Sequence, residues 1–214
     1  MLNTLQTILD QKIVAIIRGA TPGREIIPII KALRDGGIKV VEISATTPSF
    51  LSLVQQVSEV YNDVTVGAGT VLDPETAQAA IKSGAKFILS PSVNVDTIRL
   101  TKRYGVVSIP GALTPTEIVT AYENGADIVK VFPAGTVGPG YLRDIHGPLS
   151  QVPLMPTGGI NLSNVADYIK NGAVAVGIGS ELINVEQQTE ISTLKRIKER
   201  ALKFVDKVGQ NSLI

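Results

Sequence analysis

The sequence of 214 residues contains no cysteine and a single histidine, His146. The absence of cysteine excludes disulfide bonds, thiolate catalysis, iron–sulfur clusters and Cys-ligated zinc. One histidine gives little support for a histidine-based metal site or for a Ser-His-Asp triad. We therefore expect no metal site, and we expect acid–base chemistry that rests on carboxylates, lysines or water.

The chain also lacks a strong charge of either sign. Lys and Arg number 20 and Asp and Glu number 19, a formal net charge of +1. Such a balance provides no electrostatic footprint for nucleic acid or an anionic membrane, so an anionic substrate would be held by local features. The sequence shows neither an apolar run of membrane-spanning length nor a signal-peptide pattern. We therefore expect a cytoplasmic protein with no nucleic-acid or membrane partner.

Short apolar stretches, most of them rich in Val and Ile, recur along the chain with a nearly regular spacing. Gly, Pro, Ser or Asn bounds most of them, a pattern typical of buried strands. The eight stretches are Ile13 to Ile17, Ile38 to Ile43, Val64 to Val66, Phe87 to Leu89, Val106 to Ile109, Ile128 to Phe132, Val152 to Met155 and Val174 to Ile178.

Segments with helical spacing and helix-boundary residues separate these stretches. A cap residue or an early proline begins several of them, and glycine ends them. The boundary signals are Thr21-Pro22 with Gly36-Gly37, Asp73-Pro74-Glu75 with Ser83-Gly84, Thr114-Pro115-Thr116-Glu117 with Asn124-Gly125, and Asn161 to Lys170 with Asn171-Gly172. An amphipathic stretch, Glu190 to Val208, predicts a C-terminal helix.

Eight strands that alternate with helices predict an α/β fold of the (β/α)₈ TIM-barrel type. We expect one domain over residues 1–214, with a short N-terminal helix and a C-terminal helix, because no linker divides the chain. A doubly wound open sheet is the alternative. No strand is followed by the GxGxxG fingerprint of many such sheets, and eight strands is the number that closure requires.

Lys130 lies in the middle of an apolar predicted strand, where Ile128, Lys130 and Phe132 share one face. Both faces of a barrel strand are covered, so this lysine is poorly solvated. Burial disfavours the ammonium form and lowers the pKa, and a neutral amine attacks ketones to form an imine. The alternative is a lysine that reaches out of the barrel mouth or pairs with a carboxylate.

Glu42 lies near the end of the second predicted strand, and Arg18 ends the first. Active sites of barrels lie at these carboxyl ends. Glu42 has two uses there: it pairs with Lys130, or it moves protons through a water during imine formation and C–C cleavage. A purely structural ion pair with Arg18 or Lys130 remains the alternative. Arg18 either binds a substrate carboxylate or anchors Glu42.

Two glycine-containing turns follow the seventh and eighth strands. They contain Gly158-Gly159 and Gly177-Ile178-Gly179-Ser180. Glycine lets backbone N–H groups approach an anion closely, and a helix that starts after the turn adds a favourable dipole. Barrels often bind phosphate at these places, although ordinary tight turns also use glycine. The pattern predicts a phosphate site.

With these residues placed, the chain resembles the family of 2-keto-3-deoxy-6-phosphogluconate (KDPG) and 4-hydroxy-2-oxoglutarate (KHG) aldolases, which includes phosphogalactonate relatives. The matching pieces span nearly the whole chain in order. They are Ile16-Ile17-Arg18-Gly19, Val41-Glu42-Ile43, Gly67-Ala68-Gly69-Thr70-Val71-Leu72, Ser90-Pro91, Lys130-Val131-Phe132-Pro133-Ala134, Pro156-Thr157-Gly158-Gly159-Ile160 and Gly177-Ile178-Gly179-Ser180.

The resemblance implies a class I aldolase that needs no metal or cofactor and forms a homotrimer. It implies cleavage of a phosphorylated keto acid to pyruvate and glyceraldehyde 3-phosphate, and of 4-hydroxy-2-oxoglutarate to pyruvate and glyoxylate. Lys130 would form the Schiff base and Glu42 would transfer protons. The other implied residues are Thr70, Pro91 and Phe132 around pyruvate, and Gly158, Gly159, Gly179 and Ser180 around the phosphate.

Thr46 departs from the family pattern, because phosphogluconate-type members often carry an arginine four residues after the glutamate. Galactonate-type members have an Asn-Ser-Pro-like stretch there, so Ser44-Ala45-Thr46-Thr47-Pro48 lies between the two types. The substrate carboxylate would then bind to Arg18, or to hydroxyls such as that of Thr46 and to the backbone.

The residues leave three other functions open. The first is an aldolase specific for the galactonate epimer. The second is a phosphate-binding barrel isomerase that is not an aldolase. The third is a non-catalytic phosphosugar-binding protein. The last two account for the glycine turns but not for Lys130.

Overall fold

Strands and helices alternate along the chain in the computed structural model, which describes residues 1–19, 26–183 and 191–209. The strands are β1 (Ile13–Ile17), β2 (Val40–Ser44), β3 (Thr65–Gly69), β4 (Phe87–Leu89), β5 (Val107–Ile109), β6 (Gly111–Ala112), β7 (Val129–Val131), β8 (Leu154–Pro156) and β9 (Val176–Ile178). The helices are α1 (Leu2–Gln11), α2 (Ile26–Asp35), α3 (Phe50–Val60), α4 (Pro74–Lys82), α5 (Val95–Arg103), α6 (Pro115–Glu123), α7 (Ala134–Val137), α8 (Gly140–His146), α9 (Val165–Lys170) and α10 (Ile191–Gly209).

The strands form a curled parallel sheet made of two ladders. Six strands pair in the order β5-β4-β3-β2-β1-β9, and three pair in the order β6-β7-β8. Isolated parallel bridges join Leu154 to Ala173 and Thr157 to Gly177, which connects β8 to the β9 region. The carboxyl ends of the strands therefore meet along one edge, as a parallel α/β fold requires.

Each of the eight predicted stretches overlaps a strand, and the one additional strand has a local cause. Pro110 separates β5 from β6 and has no N–H group to donate to a ladder. Its carbonyl still accepts a hydrogen bond from the Lys130 N–H group at 2.9 Å. The chain thus pairs with β4 before Pro110 and with β7 after it.

The predicted helix boundaries agree with the structure where cap residues set them. Asp73 accepts a hydrogen bond from Thr76 N–H at the start of α4, and Thr114 and Glu117 form a capping box at the start of α6. Helix α2 ends at Asp35, directly before Gly36. The N-terminal and C-terminal helices are present as α1 and α10. The predicted start at Thr21-Pro22, and Glu190, lie outside the described residues.

The helix predicted over Asn161 to Lys170 is present as α9 and ends at Lys170 as predicted, but its predicted start was wrong, because α9 begins only at Val165. Asn161 Oδ1 accepts hydrogen bonds from the N–H and hydroxyl groups of Ser163, and Asn164 Oδ1 accepts one from Asn161 N–H. Short polar side chains that bind nearby backbone groups compete with helix formation. The glycine turn after β8 is therefore separated from α9 by a side-chain-stabilised turn.

Two apolar clusters fill the two sides of the sheet. The larger one packs the sheet against the helices and includes Val41 and Val129. The smaller one lies on the other, concave side and includes Val40, Ile128 and Ile8 of α1. Because strand side chains alternate, Glu42 and Lys130 lie on the concave side with these residues. No helix in the described ranges is both long and apolar enough to cross a membrane.

Candidate active site

Lys130 lies in the middle of β7 with its side chain in the protein interior. It is 3% exposed, and its strand partners are Gly111 of β6 and Met155 of β8. Its Nζ atom lies 4.6 Å from the centre of the Phe132 ring. Burial lowers the pKa of Lys130, the positive charge of Arg18 lowers it further, and the Glu42 carboxylate opposes both effects. The amine is thus shifted toward its nucleophilic, neutral form.

Glu42 of β2 is 1% exposed, and neither carboxylate oxygen has a hydrogen-bond partner among the described residues. Burial raises the pKa of Glu42, while the charges of Lys130 and Arg18 oppose that rise. A structural ion pair would hold the Glu42 oxygens against a cation, and the structure shows no such contact in the parts of the chain it describes. Both carboxyl oxygens are therefore buried without a protein hydrogen-bond partner in the described residues.

Gly69 at the end of β3 provides the space that the Glu42 side chain occupies. A Cβ atom at position 69 would lie 1.6 Å from Glu42 Oε1 and 1.9 Å from its Cδ. Gly111, the strand partner of Lys130, leaves room for the backbone of the next strand's end, because a Cβ there would lie 2.4 Å from the backbone carbonyl of Pro91. Pro91 is therefore packed against the strand residue that pairs with Lys130.

Three hydroxyl groups form a chain at the ends of β2 and β3. Ser44 Oγ lies 2.8 Å from Thr46 Oγ1 and 2.8 Å from Thr70 Oγ1. Ser44 is fully buried, Thr46 is exposed and Thr70 is half-buried. Thr70 has φ 56°, a left-handed conformation that is rare for a β-branched residue and that often marks functional sites.

A cavity of about 490 Å³ opens at the carboxyl ends of β1, β8 and β9. It contains six of the residues that the sequence predicts for the site: Arg18, Phe132, Gly158, Gly159, Gly179 and Ser180. Lys130 and Glu42 do not line it directly. Lys130 lies behind Phe132, which forms part of the cavity wall. Thr46, Thr70 and Pro91 also lie outside the lining, at the ends of β2, β3 and β4.

The Gly158-Gly159 turn lines this cavity. Both glycines have positive φ, 88° and 77°, which other residues rarely adopt. Among the described residues, the N–H groups of Gly159 and Ile160 have no hydrogen-bond acceptor. Consecutive free N–H groups in such a turn make a concave binding site for an anion.

The second turn, after β9, lies on the same cavity. The N–H groups of Leu182 and Ile183 both donate to the carbonyl of Gly179, at 2.9 and 3.0 Å. Within the described ranges, the N–H groups of Gly179 and Ser180 have no acceptor. The two turns that the sequence predicts as a phosphate site therefore come together around one cavity.

Thr157 lines the cavity and was given no role from the sequence. It is 4% exposed, and its Oγ1 atom has no hydrogen-bond partner among the described residues. An unpaired buried hydroxyl costs free energy unless a ligand or water satisfies it. The sequence did contain a signal for this role, because Thr157 is a hydroxyl residue at the end of a strand, directly before a glycine pair. Ser44, Gly69 and Gly111 were missed too, because their roles depend on contacts between strands.

The arrangement places a poorly solvated amine, a carboxyl group without a partner and an anion-binding turn pair at one end of the sheet. The described residues include no group of three or more His, Asp or Glu side chains positioned to hold a metal ion. Schiff-base catalysis uses an amine that forms an imine with a ketone, together with a nearby carboxyl group that transfers protons.

Comparisons with known proteins identify the family to which the chain is similar. A family model described as KDPG and KHG aldolase matches residues 5–198. The 2-dehydro-3-deoxy-6-phosphogalactonate aldolase of Escherichia coli (strain K12) is 34% identical over 195 residues, 90% of this chain and 92% of that protein. The 2-dehydro-3-deoxy-phosphogluconate aldolase of Treponema pallidum (strain Nichols) is 33% identical over 182 residues, 84% of this chain and 87% of that protein.

A solved structure shares the fold over almost the full chain. It is the KDPG aldolase of Legionella pneumophila, with pyruvate captured at low pH as a covalent carbinolamine intermediate. The TM-score is 0.85 at 26% sequence identity, and the match covers 93% of this chain and 96% of that one.

Proposed function

The chain belongs to the KDPG and KHG aldolase family, and on that premise we propose that it cleaves 2-keto-3-deoxy-6-phospho sugar acids through a Schiff base on Lys130. The enzyme is an aldolase of this type and hence a carbon–carbon lyase. The products of the proposed reaction are pyruvate and glyceraldehyde 3-phosphate. The observation that carries the proposal is Lys130 itself, a buried lysine whose pKa is lowered, beside a buried carboxyl group.

The proposed reaction begins when the neutral amine of Lys130 attacks the C2 ketone and forms a carbinolamine. Loss of water, with a proton delivered from Glu42 through a water molecule, gives the iminium ion. Removal of the proton from the C4 hydroxyl then breaks the C3–C4 bond, and its electron pair moves into the iminium. The aldehyde phosphate leaves. The remaining enamine takes a proton at C3, and hydrolysis releases pyruvate and the free amine.

Glu42 suits the proton-transfer role because burial raises its pKa above that of an exposed glutamate, which favours the protonated form that donates a proton. The mechanism requires a group that both gives and accepts protons. The absence of a hydrogen-bond partner for either oxygen in the described residues leaves the carboxyl group free to bind that water. The fixed positive charge of Arg18 acts electrostatically on both Glu42 and Lys130.

The substrate carboxylate and phosphate occupy opposite ends of the proposed site. We assign the carboxylate to Arg18, or to the hydroxyls of Thr46 and Thr70, and pyruvate to the surroundings of Thr70, Pro91 and Phe132. The phosphate lies against the free N–H groups of the two glycine turns, where Gly158, Gly159, Gly179 and Ser180 hold it. Cleavage of the galactonate epimer is the second candidate, favoured by the Escherichia coli relative of that name.

We propose that the curled sheet closes as an eight-stranded barrel in which β5 and β6 are the two halves of one strand. The bridges Leu154–Ala173 and Thr157–Gly177 support closure between β8 and β9. We also propose one domain over residues 1–214, needing no metal or cofactor, assembled as a homotrimer in the cytoplasm. The family resemblance supports the trimer.

Steady-state kinetics test the proposed function. Pyruvate release is measured with the phosphorylated gluconate and galactonate epimers and with unphosphorylated 4-hydroxy-2-oxoglutarate. We expect the highest kcat/KM with a phosphorylated epimer, and the ratio between epimers identifies the preferred stereochemistry at C4. No pyruvate from any of the three substrates contradicts the proposal. Cleavage by a Lys130→Ala variant at the wild-type rate contradicts the Schiff base and favours a different barrel enzyme.

A further inference from the structure

Asn164 stands directly before α9, and its side chain turns away from that helix. An Asn in this position commonly accepts a hydrogen bond from the first turn of its helix, and Asn164 makes no such bond. Its Nδ2 atom instead donates to the carbonyl of Gly159 at 2.8 Å, and its Oδ1 atom accepts from Asn161 N–H at 2.9 Å. One carboxamide therefore binds the backbone on both sides of the Ile160 residue.

The opposite side of the turn is fixed by Gly135, whose N–H group donates to the carbonyl of Gly158 at 2.8 Å. The carbonyl and N–H groups of a trans peptide point in opposite directions. With the carbonyls of Gly158 and Gly159 bound to Gly135 and Asn164, the N–H groups of Gly159 and Ile160 face the other way. Both residues line the cavity, and neither N–H group has an acceptor in the described residues.

We propose that Asn164 is a positioning residue for the phosphate end of the substrate, an inference that rests on the proposed function of the glycine turns. Its carboxamide holds the Gly159–Ile160 peptide in the orientation that directs two N–H groups into the cavity. A Gly-Gly turn has wide conformational freedom, so an unrestrained turn would lose entropy when it closes around the anion. Asn164 restrains the turn before the substrate binds.

The two hydrogen bonds require both a donor and an acceptor on one short side chain. Aspartate at position 164 would keep the acceptor for Asn161 N–H, would lack the donor for the Gly159 carbonyl, and would add a negative charge near the anion. Alanine would remove both bonds. Comparing the two variants separates the two bonds. Both variants lose the bond to Gly159, and only the alanine variant also loses the bond to Asn161.

Asn171 at the end of the same helix provides the matched control. Its Nδ2 atom donates to the carbonyl of Asp167 at 2.8 Å, so Asn171→Ala also removes one side-chain-to-backbone bond, away from the cavity. The experiment measures the Kd of inorganic phosphate by calorimetry for the wild-type enzyme, Asn164→Ala, Asn164→Asp and Asn171→Ala. It also measures kcat and KM for phosphorylated substrate and for 4-hydroxy-2-oxoglutarate.

We expect both Asn164 variants to raise the phosphate Kd and the KM of the phosphorylated substrate by about 5- to 50-fold, the effect of one or two hydrogen bonds. The rate of deuterium exchange into the pyruvate methyl group, which needs only Lys130 and Glu42, stays within about two-fold of wild type because the phosphate turn takes no part in it. Asn171→Ala matches wild type in every measurement.

A phosphate Kd that is unchanged in the Asn164 variants overturns the proposal. So does an equal rise in KM for phosphorylated and unphosphorylated substrates, or a wild-type enzyme that does not bind phosphate. Phosphate binding does not depend on turnover. A wild-type protein that fails to exchange pyruvate protons therefore contradicts the Schiff-base mechanism, while a higher phosphate Kd in Asn164→Ala still supports the positioning role.

Discussion

Gly69 and Glu42 share one space: a Cβ atom at position 69 would lie 1.6 Å from Glu42 Oε1. The two residues are far apart in sequence, and the parallel pairing of β2 with β3 brings them together. The buried carboxyl group fits on the concave side of the sheet only because the adjacent strand carries no side chain there. The Gly-Ala-Gly-Thr segment is thus part of the site as well as part of a strand.

We predict that Gly69→Ala displaces the Glu42 carboxyl group and lowers kcat by about 10²-fold or more, as expected when a proton-transfer group is misplaced. Overpacking at this buried position also lowers the free energy of unfolding by about 1–3 kcal/mol. Gly140→Ala is the control, because nothing lies within 4 Å of a Cβ there. Denaturant unfolding and steady-state kinetics measure both effects, and wild-type activity in Gly69→Ala would contradict the prediction.

We predict that Glu42→Gln lowers kcat by about 10²- to 10⁴-fold, the usual contribution of a general acid–base group.

We also predict that the free energy of unfolding of Glu42→Gln increases relative to that of the wild type as the pH rises. Burial raises the pKa of Glu42 in the folded protein above its ordinary value of 4.5. A buried carboxyl group of this kind costs stability once it ionises, and glutamine does not ionise.

The pH window of this effect follows from the direction of the shift. Below pH 4.5 Glu42 is protonated in both the folded and unfolded states, so its contribution to stability is fully present. As the pH rises through the folded-state pKa, that contribution is lost in the wild type only. The difference in unfolding free energy between the variant and the wild type therefore grows from acid toward neutral pH. Chemical denaturation across that range contradicts the account if the difference is constant or grows toward acid.

Much of the fold was predictable because apolar stretches and cap residues are local signals. Asp73 and Thr114 determine their helix starts through bonds to residues three positions away, and the sequence displays both partners. The break at Pro110 was less apparent, since it depends on which neighbour pairs with each half of the strand. The late start of α9 was missed because it depends on two side-chain bonds, from Asn161 to Ser163 N–H and from Asn164 to Asn161 N–H, which hold the chain in a turn before the helix.

The site was predictable where a residue conflicts with its surroundings. A lysine within Ile128-Val129-Lys130-Val131 and a glutamate within Val40-Val41-Glu42-Ile43 conflict with the strands that carry them. Residues that match their surroundings gave no such signal. Ser44, Gly69 and Thr157 are ordinary at the ends of strands, and their importance depends on contacts with Thr70, Glu42 and the cavity.

We predict that Ser44→Ala raises the KM for pyruvate in the deuterium-exchange reaction by about 2- to 10-fold, the effect of losing one buried hydrogen bond. Ser44 Oγ lies between the hydroxyls of Thr46 and Thr70, so its loss leaves Thr70 without the neighbour that orients it. Ser44→Thr retains the hydroxyl and restores most of the affinity. Ser58→Ala is the matched control, since the Ser58 hydroxyl donates to the carbonyl of Gln55 within α3 and Ser58 does not line the cavity. Equal KM values for Ser44→Ala and Ser58→Ala would exclude a role for the hydroxyl chain.

The central claim is that the amine of Lys130 forms an imine with the bound keto acid, and reductive trapping tests it most directly. The protein is incubated with pyruvate and sodium borohydride at neutral pH, digested and analysed by mass spectrometry. Because burial lowers the pKa of Lys130, we predict a reduced pyruvate adduct on the peptide containing Lys130. The fraction of Lys130 that is modified should equal the fraction of activity that is lost. Lys130→Met carries no adduct. An unmodified Lys130 in the wild-type protein, or the same adduct level on surface lysines such as Lys31, would contradict the claim.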